Sequence, residues 1–122
     1  NYKNIYAIDK YQSKLKVAKK FGAHNIINSR KKGFGKFITK HLNFFNNAVE
    51  CSGSLNLMKE GLSMIKNFGG KFVIIGNYPV GKMIKLNPWN FVMGKIVTGA
   101  WTDSISYSKK FKFFYKKFDK FK

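Results

Sequence analysis

One cysteine, two prolines, one arginine and five carboxylate side chains occur among 122 residues, and each scarcity removes a class of protein. A lone Cys51 can form neither an internal disulfide nor a multi-cysteine zinc site. No uninterrupted apolar run approaches the roughly 20 residues that span a bilayer. The first residues also lack the charged, apolar and small-residue order of a signal peptide, so the cytoplasm is the expected compartment. Arg30 is the only arginine, whereas base-edge and phosphate recognition favours arginine's planar fork. The few acids leave a formal net charge of +19, which raises the question of a polyanionic partner. However, the lysines are scattered from Lys3 to Lys122 and accompany abundant Asn, Ile and Phe. That mixture reads as a global residue bias, so nucleic acid and membrane are disfavoured as partners.

What is present is a chain rich enough in apolar (44%) and aromatic (17%) residues to bury one core. Strand-like and helix-like segments alternate, the signature of a parallel α/β sheet. Strands are expected at Ile5–Asp9, Asn25–Asn28, Ala48–Cys51, Lys71–Gly76 and Ile96–Trp101. The fourth, KFVIIG, is expected to be buried on both faces. Ser13 is the expected N-cap of a helix over Lys14–Phe21, with Leu15, Ala18 and Phe21 on one face and Gly22 as its left-handed end. Phe34, Phe37, Ile38, His41, Leu42 and Phe45 form one helical stripe, which Asn46–Asn47 breaks. Ser52–Gly53–Ser54 reads as a turn with a helix cap, and Leu55, Met58, Leu62 and Ile65 line the helix that follows. Pro88 suits the first turn of a short helix over Trp89–Met93. From residue 104 onward, Tyr107, Phe111, Phe114, Phe118 and Phe121 alternate with lysines as an amphipathic helix.

Four blocks carry a resemblance: IYAIDKYQSKLKVAKKFGAHNIIN (residues 5–28), VECSGS (49–54), GGKFVIIG (69–76) and LNPWNFVMGKIVTGAW (86–101). Their order and spacing resemble the medium-chain dehydrogenases of the zinc-type alcohol and polyol dehydrogenase kind. The resemblance implies that residues 1–122 are a partial Rossmann domain, a parallel sheet of about five strands flanked by helices. It implies an NAD(P)-dependent oxidoreductase that moves a hydride between a nicotinamide cofactor and an alcohol or carbonyl substrate. Asp9 then matches the acid on the adenosine ribose, and Lys14 a basic residue beside it. Cys51, Ser52 and Gly53 match the loop on the adenine side. Ile75, Gly76 and Asn77 match the loop under the nicotinamide ribose, and Ala100, Trp101 and Thr102 the stretch that meets the carboxamide. Asp9 would repel a 2′-phosphate, so NAD is expected over NADP, a preference that Lys10 and Lys14 soften.

The departures are as informative. No GxGxxG is present, nor the first strand and helix that carry it. The family's zinc ligands and four-cysteine lobe are absent from these residues too, so zinc would belong to the parent enzyme and no catalytic residue is assigned here. Asn46–Asn47 stands where a family member has a glycine-containing turn ending in Asp. In this fold the absent strand lies at the sheet centre. Its absence is expected to leave the strands on either side with unpaired backbone groups, an open slot and poor stability alone, unless those two strands pair directly.

Each candidate competes with a plainer reading. Asp9 alone would be a solvated turn residue; the surrounding blocks favour the ribose ligand. Cys51 reads as a small buried residue at a strand end, not a nucleophile, because no histidine motif supplies a base. His24 in its loop and His41 on its helix read as structural. Glu50 is the one carboxylate inside a strand, at a position where the family carries an acid near the cofactor, and is not assigned as catalytic. Two other classes stay open: a basic polyanion-binding module, and a non-catalytic interaction domain on the dehydrogenase scaffold. In the family the last strand pairs subunits, so Ile96–Trp101 is the candidate surface for a homo-oligomer. The isolated chain is expected to be inactive and to bind cofactor weakly.

Overall fold

Strand and helix alternate along the computed structural model, which describes residues 4–100. The expected helix over 104–122 and the residues Trp101 and Thr102 lie outside that range. The order is β1 (Tyr6–Asp9), α1 (Gln12–Lys20), β2 (Asn25–Asn28), α2 (Phe34–Lys40), β3 (Asn47–Glu50), α3 (Leu55–Met64), β4 (Lys71–Ile74), α4 (Trp89–Val92) and β5 (Ile96–Gly99). Two compact units emerge, one holding residues up to Ile27 and the other Asn28–Ala100.

In the first unit β1 pairs with β2. The sharp exit from β1 is made by Asp9, whose Oδ1 accepts the Tyr11 N–H at 2.8 Å. This side chain to backbone turn replaces the cap expected from Ser13. Tyr11 occupies the cap position in extended conformation and its side chain does not cap the helix, while Ser13 lies inside it. Leu15 is the residue that α1 buries, at 1% exposure, whereas Phe21 at the helix end is half exposed. Gly22 takes the left-handed conformation (φ 97°) that ends the helix.

The second unit is a parallel sheet ordered β3-β4-β5, with Ala48 opposite Phe72 and Phe72 opposite Val97. Parallel neighbours need a crossover, and α3 supplies one between β3 and β4. Ser54 caps α3 by accepting the Leu57 N–H, as the sequence led us to expect. Met58, Leu62 and Ile65 follow at helical spacing and meet Phe72 of β4 in the core. Gly61 permits the contact, since a Cβ there would stand 2.5 Å from the Phe72 ring. At the other end of α3 the buried Lys95 donates to the Leu62 carbonyl (3.0 Å) and the Ser63 carbonyl (3.4 Å). Burial lowers its pKa, because removal from water disfavours the ammonium.

Two expectations need correction. The aromatic stripe is not one helix: α2 stops at Lys40, and Asn43 turns the chain at φ 53°. The backbone N–H groups of Asn43, Phe44 and Phe45 then bond to the Ser63 and Met64 carbonyls at the end of α3, in place of the bonds a continued helix would give them. β4 is not buried throughout, for only Phe72 is fully enclosed and Ile75 beyond its end is 47% exposed. Finally, β5 is regular over Ile96–Gly99, the Ala100 amide beyond it donates to the Ile74 carbonyl, and the expected end at Trp101 lies outside the described residues.

The described strands group as β1-β2 and β3-β4-β5. The Asn46 carbonyl receives Lys71 N–H and the Glu50 carbonyl receives Ile75 N–H. A parallel ladder alternates, so Ala48 faces β4 while the backbone groups of Asn47 and Val49 point to the opposite edge.

Candidate functional site

In open α/β sheets, ligands gather outside the carboxyl ends of the strands, and there the second unit places its most unusual side chain. Glu50, the last residue of β3, is a carboxylate at 5% exposure. An unpaired buried charge is costly, so its partners matter. Oε1 accepts from the Ser52 N–H (2.8 Å) and Ser52 Oγ–H (2.5 Å). Oε2 accepts from the Tyr78 hydroxyl (2.8 Å) and the Gly53 N–H (3.3 Å). Desolvation pushes the Glu50 pKa up, but the bonds from Ser52, Tyr78 and Gly53 together outweigh it and leave the carboxyl below its ordinary value. Tyr78 responds in the opposite sense. Burial and the Glu50 carboxylate raise its pKa, so the phenol stays a donor.

These bonds join two turns. Gly53 (φ 69°) lies so close to the β4 end that a Cβ would come within 2.5 Å of the Asn77 carbonyl. A Cβ on Gly76 would collide with Glu50 and the Gly53 backbone. Both positions therefore require glycine for backbone contact. Ser52 Oγ also accepts the Ser54 N–H (3.2 Å), which extends the network to the cap of α3. Cys51, Ser52, Ile75 and Asn77 are exposed on this double turn, and Ala100 is exposed at the end of β5. The structure thus brings Cys51 and Ser52 beside Ile75, Gly76 and Asn77.

Cys51 corrects an expectation, since its side chain is exposed, not buried. Glu50 turns inward, and strand alternation sends its neighbour out. Desolvation and the Glu50 charge raise the thiol pKa, the opposite of what activates a nucleophile. Tyr78 is the participant that sequence reading did not single out. It sits 28 residues from Glu50 in a proline-containing loop, and only the buried acid hinted that a donor was needed.

In the first unit Asp9 Oδ1 accepts the Tyr11 N–H, and among the described residues Oδ2 has no hydrogen-bond donor. Lys14 is exposed on α1, with its ammonium 5.4 Å from the Tyr11 ring centroid. The histidines are structural, as expected. His24 Nδ1 accepts the Ile5 N–H at 3.0 Å, and the His41 ring packs between Phe37 and Phe45. Among the described residues no group of three or more His, Cys, Asp or Glu could hold a metal ion, so they do not fit zinc. Within the second unit, the exposed Cys51, Ser52, Ile75 and Asn77 fit a ligand laid across the ends of β3 and β4.

Solved structures agree on the fold. Benzyl alcohol dehydrogenase from Acinetobacter calcoaceticus superposes with a TM-score of 0.83 at 24% identity, covering 98% of this chain and 33% of that one. A zinc-binding dehydrogenase from Sinorhizobium meliloti, solved bound to NADP, gives 0.71 at 18% identity, covering 83% and 31%. By sequence, the S-(hydroxymethyl)glutathione dehydrogenase of Photobacterium damsela subsp. piscicida is 33% identical over 99 residues, 79% of this chain and 27% of the relative. The class-3 alcohol dehydrogenase of Drosophila melanogaster is 30% identical over 101 residues, with the same coverage of 79% and 27%. The chain therefore spans about a quarter of the length of these curated relatives. Residues 1–115 match the family described as zinc-binding dehydrogenase, and with the four sequence blocks, the parallel α/β order and these relatives in agreement, the chain belongs to that family.

Proposed function

We propose that this chain is part of the coenzyme-binding domain of an NAD(P)-dependent alcohol or polyol dehydrogenase. The observation that carries the reading is the double turn at the β3 and β4 ends, with Cys51 and Ser52 beside Ile75, Gly76 and Asn77. In this reading Asp9 accepts from the adenosine ribose through Oδ2, and Lys14 adds a cation near it. Cys51 and Ser52 lie against the adenine side. Ile75, Gly76 and Asn77 support the nicotinamide ribose, while Ala100, Trp101 and Thr102 meet the carboxamide. The bound nicotinamide supplies the hydride chemistry for an alcohol or carbonyl substrate. Asp9 favours NAD over NADP, because a second negative group beside a carboxylate is repelled. Zinc, where the whole enzyme uses it, is held outside these residues.

The chain alone binds the cofactor weakly and does not turn over, since it offers neither a phosphate-cradling glycine loop nor groups that polarise a substrate oxygen. No described helix is long and apolar enough to cross a membrane; the cytoplasm is the compartment proposed. β5 is the surface proposed for pairing with a second copy. Titrating isotope-labelled chain with NAD, NADP and a DNA oligonucleotide tests the reading by NMR. NAD is expected to move the amides of residues 9, 51, 52 and 75–77, NADP to do so less, and no NADH to be oxidised with aldehydes present. Amides indifferent to both nucleotides, with DNA binding that falls steeply with salt, would replace this reading with the polyanion-binding one.

A further inference from the structure

We propose that Glu50 is a positioning residue for dinucleotide binding: its buried carboxylate clasps the turn after β3 to the end of β4, so that both present one rigid backbone wall to the cofactor. The inference rests on the dehydrogenase reading above and assigns the clasp a task within it. Its first support is the choice of partners. In a chain this rich in lysine, the donors to the carboxylate among the described residues are Ser52, Gly53 and Tyr78, all neutral. A buried acid kept for stability alone is a poor solution, because well-packed apolar residues do as well or better. One that gathers donors from two separate turns fixes their geometry.

The second support is where the donors sit. Ser52 and Gly53 follow Cys51 directly, and Tyr78 follows Asn77, so each tether adjoins a proposed ligand contact. Between the tethers the turns touch backbone to backbone at Gly53, Gly76 and Asn77, with no room for a Cβ at either glycine. The main-chain amides of Ile75 and Gly76 both donate to the Glu50 carbonyl (2.8 and 2.9 Å), so one residue holds the strand end through main chain and side chain together. The exposed positions Cys51, Ser52, Ile75 and Asn77, with the half-buried Gly76 between the last two, then face a ligand. A wall fixed before binding spares the ligand the entropy of ordering it.

The test uses the full chain, isotope-labelled, in three forms: unsubstituted, Glu50→Gln and Tyr78→Phe. NAD is titrated into each. Affinity is read from the amides of Cys51, Ile75 and Asn77, and folding from the amides of α3 and β4, which a ligand wall should not affect. Glu50→Gln is expected to weaken NAD binding about tenfold or more, and Tyr78→Phe about threefold, with core amides unshifted in the latter. Folded variants that bind NAD as the unsubstituted chain does would overturn the clasp and leave the dehydrogenase reading standing. An unsubstituted chain whose amides ignore NAD would overturn that reading, and this role with it. If Glu50→Gln unfolds, Tyr78→Phe decides, and a Tyr78→Phe chain that also unfolds shows the network to be structural and overturns the proposal.

Discussion

At the scale of single residues, Glu50 links the chemistry of the strand ends to stability. Its folded pKa lies below the ordinary 4.5 because the donated bonds stabilise the anion more than burial penalises it. A carboxyl with a depressed folded pKa contributes stability that is present above its unfolded value and lost as pH falls through its folded value. Urea midpoints should therefore hold nearly constant from about pH 7 to pH 5, then fall below about pH 4. In Glu50→Gln that acid-side fall should be shallower, since the side chain no longer titrates. Urea titrations of both chains at several pH values measure the difference, and parallel curves would show that Glu50 is not the linked group. The sequence announced the acid, because Glu50 is the one carboxylate in an apolar strand. It did not announce Tyr78 or the exposure of Cys51. The former depends on a contact across 28 residues, and the latter on which way a four-residue strand faces.

Among the elements, α3 owes its stability to both of its ends. Its start was legible, because Ser54 before Leu55 and Met58 is a local cap signal followed by periodicity. Its finish was not, since the carbonyls at its end are satisfied from far away in sequence. The Leu62 carbonyl receives the ammonium of Lys95, and the Ser63 and Met64 carbonyls receive the amides that leave α2. The same tertiary bonds shorten α2, which is why the aromatic stripe overstated that helix. Lys95→Ala removes the donor to Leu62 and the apolar stem that fills the site. A loss of about 1–3 kcal/mol is expected for the carbonyl left unsatisfied, with more from the lost packing. Lys95→Met restores the stem alone and should recover part of the loss. Denaturant midpoints of the two variants check this order, and equal midpoints would mean that the stem contributes nothing.

Over the whole molecule, the alternation that revealed an α/β chain is local, whereas strand order depends on which strands have neighbours. The expected parallel α/β architecture is present, with the described strands grouped as β1-β2 and β3-β4-β5. The β3 edge without a partner among the described residues was expected to cost about 1–3 kcal/mol for each buried group, but Val49 there is 56% exposed. Water can satisfy groups so placed, so the open edge removes less stability than a dry one would. Hydrogen exchange tests this residue by residue. Ala48 and Glu50 point to β4 and should exchange slowly, while the alternate residues Asn47 and Val49 should exchange nearly as fast as an unfolded chain. Uniform protection along β3 would mean that another strand covers that edge in solution. The alternating pattern would instead place the limit on stability in the small cluster of Met58, Leu62, Ile65 and Phe72. A core of that size should melt below about 60 °C and over a broad range.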